Sequence, residues 1–150
     1  MSDADLADWL AARLSAGAAT IIVRIAQARG STPRDADAAM LVTAHEAAGT
    51  VGGGSLEWSA IERARELLGS GAPADQWATP LGPALGQCCG GHMTLAFARG
   101  DAGDVAALRE AAAKARAARR AIRIFGAGHV GRALARALAP LPGETLLLGT

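Results

Sequence analysis

The two cysteines of this chain, Cys88 and Cys89, stand side by side inside Gly82-Pro83-Ala84-Leu85-Gly86-Gln87-Cys88-Cys89-Gly90-Gly91-His92. Glycine and proline at that density do not read as regular helix or strand, and glycine lets a ligand approach the main chain. An apolar run from Met93 to Ala98 follows at once and reads as a buried strand. A thiol-bearing loop held at the start of such a strand suits a soft ligand or a reactive sulfur. It equally suits two small buried cysteines that fill space. An adjacent pair is not a zinc pattern, which needs about four ligands.

Three other stretches carry residue types that could bind. Arg29-Gly30-Ser31-Thr32-Pro33-Arg34-Asp35 offers an anion the hydroxyls of Ser31 and Thr32 and the guanidinium of Arg34, although Ser, Thr, Pro and Asp also make an ordinary turn. Gly52, Gly53 and Gly54 precede a helix that starts near Ser55. Free N–H groups and the helix dipole make such a start an anion cradle. Ser55 reads as the N-cap, which is the plainer explanation of that residue. Glu57, on the first turn, is either a surface complement to the dipole or a carboxylate facing the glycine loop. Finally, Gly126-Ala127-Gly128-His129-Val130-Gly131 follows a strand and opens a helix, the context in which G-x-G-x-x-G holds a dinucleotide pyrophosphate. The acidic residue expected about 20 positions after the first of these glycines is not found.

The elements that must position these residues follow from periodicity. Leu6, Trp9, Leu10 and Leu14 recur at helical spacing over 3–15. Residues 19–28 and 39–43 read as strands, with a hairpin-like connection from His45 to Gly49. Leu56, Ala60, Ile61, Ala64, Leu67 and Leu68 form the stripe of a helix ended by Gly69-Ser70-Gly71. Residues 72–79 read as a crossing to the cysteine loop. A helix rich in Ala and Arg spans 105–120, and 121–125, 132–138 and 145–148 read as strand, helix and strand. The expected class is α/β: a mixed-sheet α/β domain over 1–100, a helical linker over 101–120, and over 121–150 the opening of a truncated Rossmann-type unit. One such half-unit cannot cover both faces of its strands, so it reads as the opening of a nucleotide-binding domain whose remainder is missing, the alternatives being packing on the first domain or on a second copy in a homodimer.

With 150 residues, 51% hydrophobic and 19% charged, the chain can build a core. A formal net charge of +1 makes no case for nucleic acid or an anionic membrane. The first residues, 1–5, are acidic and lack an apolar signal region, and no apolar run approaches the ~20 residues that span a bilayer. The expectation is a cytoplasmic protein with reduced thiols.

Taken together, Gly30-Ser31-Thr32-Pro33-Arg34, Thr50-Val51-Gly52-Gly53-Gly54, Gly86-Gln87-Cys88-Cys89-Gly90-Gly91 and Phe125-Gly126-Ala127-Gly128-His129-Val130-Gly131 closely resemble the XdhC/CoxI family of xanthine dehydrogenase accessory proteins. The resemblance implies a carrier that binds and shields the molybdenum cofactor (molybdopterin). It further implies sulfuration with a cysteine desulfurase partner and delivery to xanthine dehydrogenase or a related molybdenum hydroxylase. On that reading Ser31, Thr32, Arg34, Gly52, Gly53 and Gly54 hold the phosphate. Gln87 bonds an oxo group or the pterin, and Cys88 or Cys89 contacts molybdenum or its exchangeable sulfur. The competing class is an NAD(P)-dependent oxidoreductase using Gly126, Gly128 and Gly131. The missing acid speaks against it, and the reading expects weak or absent NAD binding. A purely structural α/β domain would leave the glycine and cysteine loops unexplained.

Overall fold

The computed structural model describes residues 1–30, 38–82, 91–118, 121–140 and 143–149. The chain divides into two compact units, residues 1–109 and 110–150. The α/β class read from the sequence holds in both.

The first unit begins with α1 (Asp3–Ser15). Ser2 and Asp5 close a reciprocal capping box on its first turn, so two otherwise orphaned N–H groups are satisfied. Five strands follow: β1 (Ile21–Arg29), β2 (Ala39–Val42), β3 (Ala47–Gly49), β4 (Ala74–Pro80) and β5 (His92–Arg99). They lie in the order β3-β2-β1-β5-β4, and every pairing among them is antiparallel. The mixed sheet expected over 1–100 is corrected: among the described strands that sheet is wholly antiparallel, and the parallel pair forms a separate two-stranded sheet in the second unit. β4 occupies a stretch that reads in sequence as a mere crossing. It is an edge strand with Asp75, Trp77 and Thr79 turned inward and Ala74, Gln76, Ala78 and Pro80 exposed.

Alternation along the central strands supplies two apolar faces. Ile21, Val23, Ile25, Met40, Val42, Met93, Leu95 and Phe97 pack on Leu56, Ala60, Ala64 and Leu67 of α2 (Ser55–Ser70). Ile22, Ala39 and Leu41 pack on Leu6, Ala7 and Leu10 of α1 and on Val105 and Leu108 at the start of α3 (Ala102–Ala117). The sheet is therefore the middle of three layers, which explains why its central strands read as continuous apolar runs. At the rim, Arg63 holds the Asp75 carboxyl below the usual carboxylate range through a side-chain hydrogen bond. Arg24 on β1 pairs with Asp104 of α3 at 2.9 Å.

The second unit holds the rest of α3, then β6 (Ile122–Phe125), α4 (His129–Leu138) and β7 (Thr145–Leu148). β6 and β7 pair in parallel around the crossover helix. A parallel pair is normally covered on both faces. Here Phe125 and Val130 are 80% and 82% exposed, and Leu134 and Leu146 to Leu148 are exposed too. No described helix is long and apolar enough to cross a membrane.

Candidate functional site

Strand order places the described flanks of three of the four motif stretches at one end of the first sheet. β1 ends and β2 begins there. β3 ends there as well, because Gly49 pairs with Met40, and Thr50 then donates its N–H to the Ala39 carbonyl at 3.2 Å. The glycine loop 52–54 follows directly. β4 finishes and β5 starts at the same end, since Pro80 pairs with His92. Leu81 donates to the Gly91 carbonyl at 2.8 Å and closes the base of the cysteine loop. Arg29 pairs with His92 across β1 and β5, and a Cβ on Gly30 would sit 3.3 Å from the Gly91 Cα. The described flanks of the Ser31–Arg34 stretch and of the cysteine loop are thus immediate neighbours. Ser31, Thr32, Arg34, Gln87, Cys88 and Cys89 themselves lie outside the described residues.

A register shift between Ile25 and Gln27 shapes this end. Ile25 pairs with Leu95 on the α2 face of the sheet. Without the shift, Gln27 and Arg29 would share that face, because side chains alternate with period two. The extra residue of the bulge turns both to the opposite face, where Gln27 lies beside Thr94 and Arg29 beside His92. Four polar side chains then line one cavity of about 400 Å³. Sequence reading names Arg29 and His92 as loop residues but assigns neither of them a role, and it misses Gln27 and Thr94. The available signal is polar residues on alternate positions at the ends of two otherwise apolar strands.

The glycine loop differs from the expected open cradle. Glu57 turns back onto it: its Oε1 accepts from the Thr50 hydroxyl and from the Val51 N–H, the latter at 3.3 Å. Of the two readings of Glu57, the structure selects the carboxylate that faces the loop. The helix cap is corrected as well. Gly54, at φ 64°, is the N-cap of α2, and Ser55 is the first helical residue. A β-carbon on Gly53 or Gly54 would meet nothing within 4 Å.

In the second unit the G-x-G-x-x-G stretch forms the strand–turn–helix expected of it. Gly126 takes φ 109° and donates its N–H to the Leu148 carbonyl at 2.7 Å. Gly128 is the N-cap of α4. A Cβ on Gly131 would lie 1.8 Å from the Gly126 carbonyl oxygen, while one on Gly128 would meet nothing within 4 Å. Gly131 therefore serves helix–strand packing and Gly128 presents an open main chain.

A larger cavity, about 680 Å³, lies at the other end of the first sheet between Arg13, Thr43, His45, Arg65 and Leu68. No described residue of the four motifs lines it, so chemistry favours the smaller one. Among the described residues no group of three or more His, Cys, Asp and Glu could hold a metal ion.

Residues 13–77 match the model of the XdhC and CoxI family. That span includes the Ser31–Arg34 and Gly52–Gly54 stretches; the cysteine loop and the Gly126–Gly131 turn lie after it. No curated protein matches the chain. Among solved structures, the chain is similar to a crystal structure of a xanthine dehydrogenase from Bacillus halodurans, with a TM-score of 0.71 and 16% identity. The match covers 98% of this chain and 62% of that one. At that identity the likeness establishes the α/β fold.

Proposed function

We propose that this chain, whose residues 13–77 match the model of the XdhC and CoxI family, is an accessory protein of molybdenum-enzyme maturation. It binds the molybdenum cofactor, shields it and supports its sulfuration with a cysteine desulfurase. It then hands the cofactor to xanthine dehydrogenase or a related molybdenum hydroxylase. The observation that carries this reading is that the described flanks of the Ser31–Arg34 and cysteine stretches, together with the glycine loop at 50–54, meet at one end of a sheet where Gln27, Arg29, His92 and Thr94 line a cavity. The donor set suits an anionic pterin phosphate with soft sulfurs. Arginine and imidazole answer the phosphate. Thiolates at Cys88 and Cys89 answer molybdenum. Gln27, Gln87 and Thr94 supply polar groups for a pterin edge. When bound, the cofactor supplies an oxo-metal with an exchangeable sulfur; the chain supplies positioning and exclusion of water.

Retention of released cofactor tests the reading. After gel filtration, molybdenum and pterin content report what the protein holds. The double variant Cys88→Ala/Cys89→Ala is expected to fold as the parent does and to lose at least about tenfold in affinity. Loss of an outer-shell partner alone costs about 10–100-fold at metal sites. Full retention in a folded double variant removes the thiols from the site.

The Gly126–Gly131 turn favours a second reading, an NAD(P)-dependent oxidoreductase, because Gly131 packs on Gly126 as a dinucleotide turn requires. The position about 20 residues after Gly126, where such a turn expects its ribose-binding acid, holds Leu146. Calorimetric titration with NAD is expected to show no dissociation constant at or below about 1 μM. Binding at that strength would favour the oxidoreductase over the carrier.

A further inference from the structure

We propose that the oxyanion site of this protein is the strand pair Arg29 and His92, flanked by Gln27 and Thr94, and that the glycine-rich start of α2 does not supply it. The ligand class is a phosphate monoester. The proposal rests on the cofactor reading for which phosphate is meant, and on separate geometry for the site itself.

Two observations carry it. The first concerns the helix start. An N-terminus attracts anions because its N–H groups lack partners and its dipole is positive there. At α2 the chain's own Glu57 already supplies a carboxylate, which accepts from Val51 and from Thr50. A phosphate placed there would meet that charge at close range, and like charges repel. The second concerns the other face of the same sheet end. The bulge at Ile25/Gln27 puts Gln27, Arg29, His92 and Thr94 on one face, as two directly opposed pairs. Directly opposed residues have Cβ atoms only about 5 Å apart, within the span of one phosphate. Gln27, Arg29 and His92 are exposed and Thr94 is half-buried. Neither Arg29 nor His92 forms an ion pair with any described residue, whereas Arg13, Arg24, Arg63 and Arg109 each hold a carboxylate. The row offers a guanidinium fork, an imidazole N–H, an amide and a hydroxyl, all able to donate. It holds no acid. Such a set recognises a phosphate by charge-assisted hydrogen bonds.

Inorganic phosphate is the probe, followed in the full chain by amide and side-chain NMR shifts at fixed ionic strength. Arg29→Gln and His92→Gln are exposed changes expected to leave the melting temperature unmoved. Each should raise the half-saturating phosphate concentration, Arg29→Gln by about tenfold or more, since a hydrogen bond to a charged group is worth roughly that factor. Glu57→Gln should not weaken phosphate binding. Phosphate shifts centred on Gly52 to Ser55, insensitive to Arg29 and strengthened by Glu57→Gln, would overturn the proposal. So would affinity unchanged in the Arg29→Gln/His92→Gln double variant. The same variants, assayed for cofactor retention, separate the two ideas. Arg29-dependent phosphate binding with cofactor retention indifferent to Cys88, Cys89 and Arg29 supports the anion site and sinks the cofactor reading. Thiol-dependent retention with phosphate binding indifferent to Arg29 and His92 sinks the anion site alone.

Discussion

Phe97→Ala is expected to cost the first unit about 4 kcal/mol, within the roughly 3–5 kcal/mol seen for buried aromatic truncations. Phe97 is 1% exposed, on the central strand β5, and pairs with Val23 of β1 on one side and Asp75 of β4 on the other. Its ring belongs to the cluster that α2 covers with Leu56, Ala60, Ala64 and Leu67. Three elements therefore depend on one side chain. The hole left by its removal cannot close without moving a strand that hydrogen-bonds on both sides. Small domains hold only about 5–15 kcal/mol in total, so the loss should lower the melting temperature by about 15–30 °C. Thermal and urea unfolding of the variant measure it. A loss under about 1 kcal/mol would mean that α2 does not seal this face as described. Because β5 begins at His92, the variant should also loosen the loop-bearing end, seen as faster amide exchange at Met93 and Leu95.

Much of this arrangement is legible in the chain because its local signals agree with its packing. Asp3 to Ser15 shows both its stripe and its acidic start, and the helix has those limits. The start of β1 is apolar on both faces, Ile21 and Val23 on one and Ile22 on the other, because helices cover both. The motif glycines of the second unit sit in the strand–turn–helix their spacing foretells. What is not legible depends on partners far away in sequence. β4 escapes notice because an edge strand needs only Trp77, Asp75 and Thr79 turned inward, and the other four residues carry no apolar signal. Ser55 looks like a cap, but the chain reaches the helix through a positive φ at Gly54, which then caps it. Glu57 could not be assigned until β3 brought Thr50 and Val51 beside it. The polar row is the least readable of all. Arg29 and His92 become neighbours only because β1 pairs with β5, and Gln27 joins their face only because one residue bulges. No periodicity marks a bulge, and it inverts the face of every residue after it.

In the second unit, Gly131→Ala should disrupt the turn that Gly128→Ala leaves intact. A methyl group on Gly131 would sit 1.8 Å from the Gly126 carbonyl oxygen and 3.0 Å from its carbon. That carbonyl has little freedom to move away. The Gly126 N–H is bound to Leu148, and Gly126 itself already holds φ 109°, where other residues strain. Accommodating the methyl means lifting α4 from β6, and the Leu147 side chain packed 3.4 Å from the same point would lose its contact. Overpacking that forces backbone shifts costs about 1–3 kcal/mol or more. The unit keeps few buried side chains in reserve, since Ile124, 8% exposed, is its one buried hydrophobic among the described residues. Gly131→Ala is therefore expected to abolish amide-exchange protection at Ile124, Phe125 and Leu147 and to reduce helical signal from α4. Gly128→Ala has the opposite geometry. Its Cβ meets nothing within 4 Å, and its φ of −68° suits any residue. Its exchange protection should match the parent within about 0.5 kcal/mol, so that any ligand effect it shows reflects blocked approach to the main chain. If Gly131→Ala is as protected as Gly128→Ala, the helix does not pack on the strand at Gly126, and the dinucleotide-type turn described for this unit is wrong.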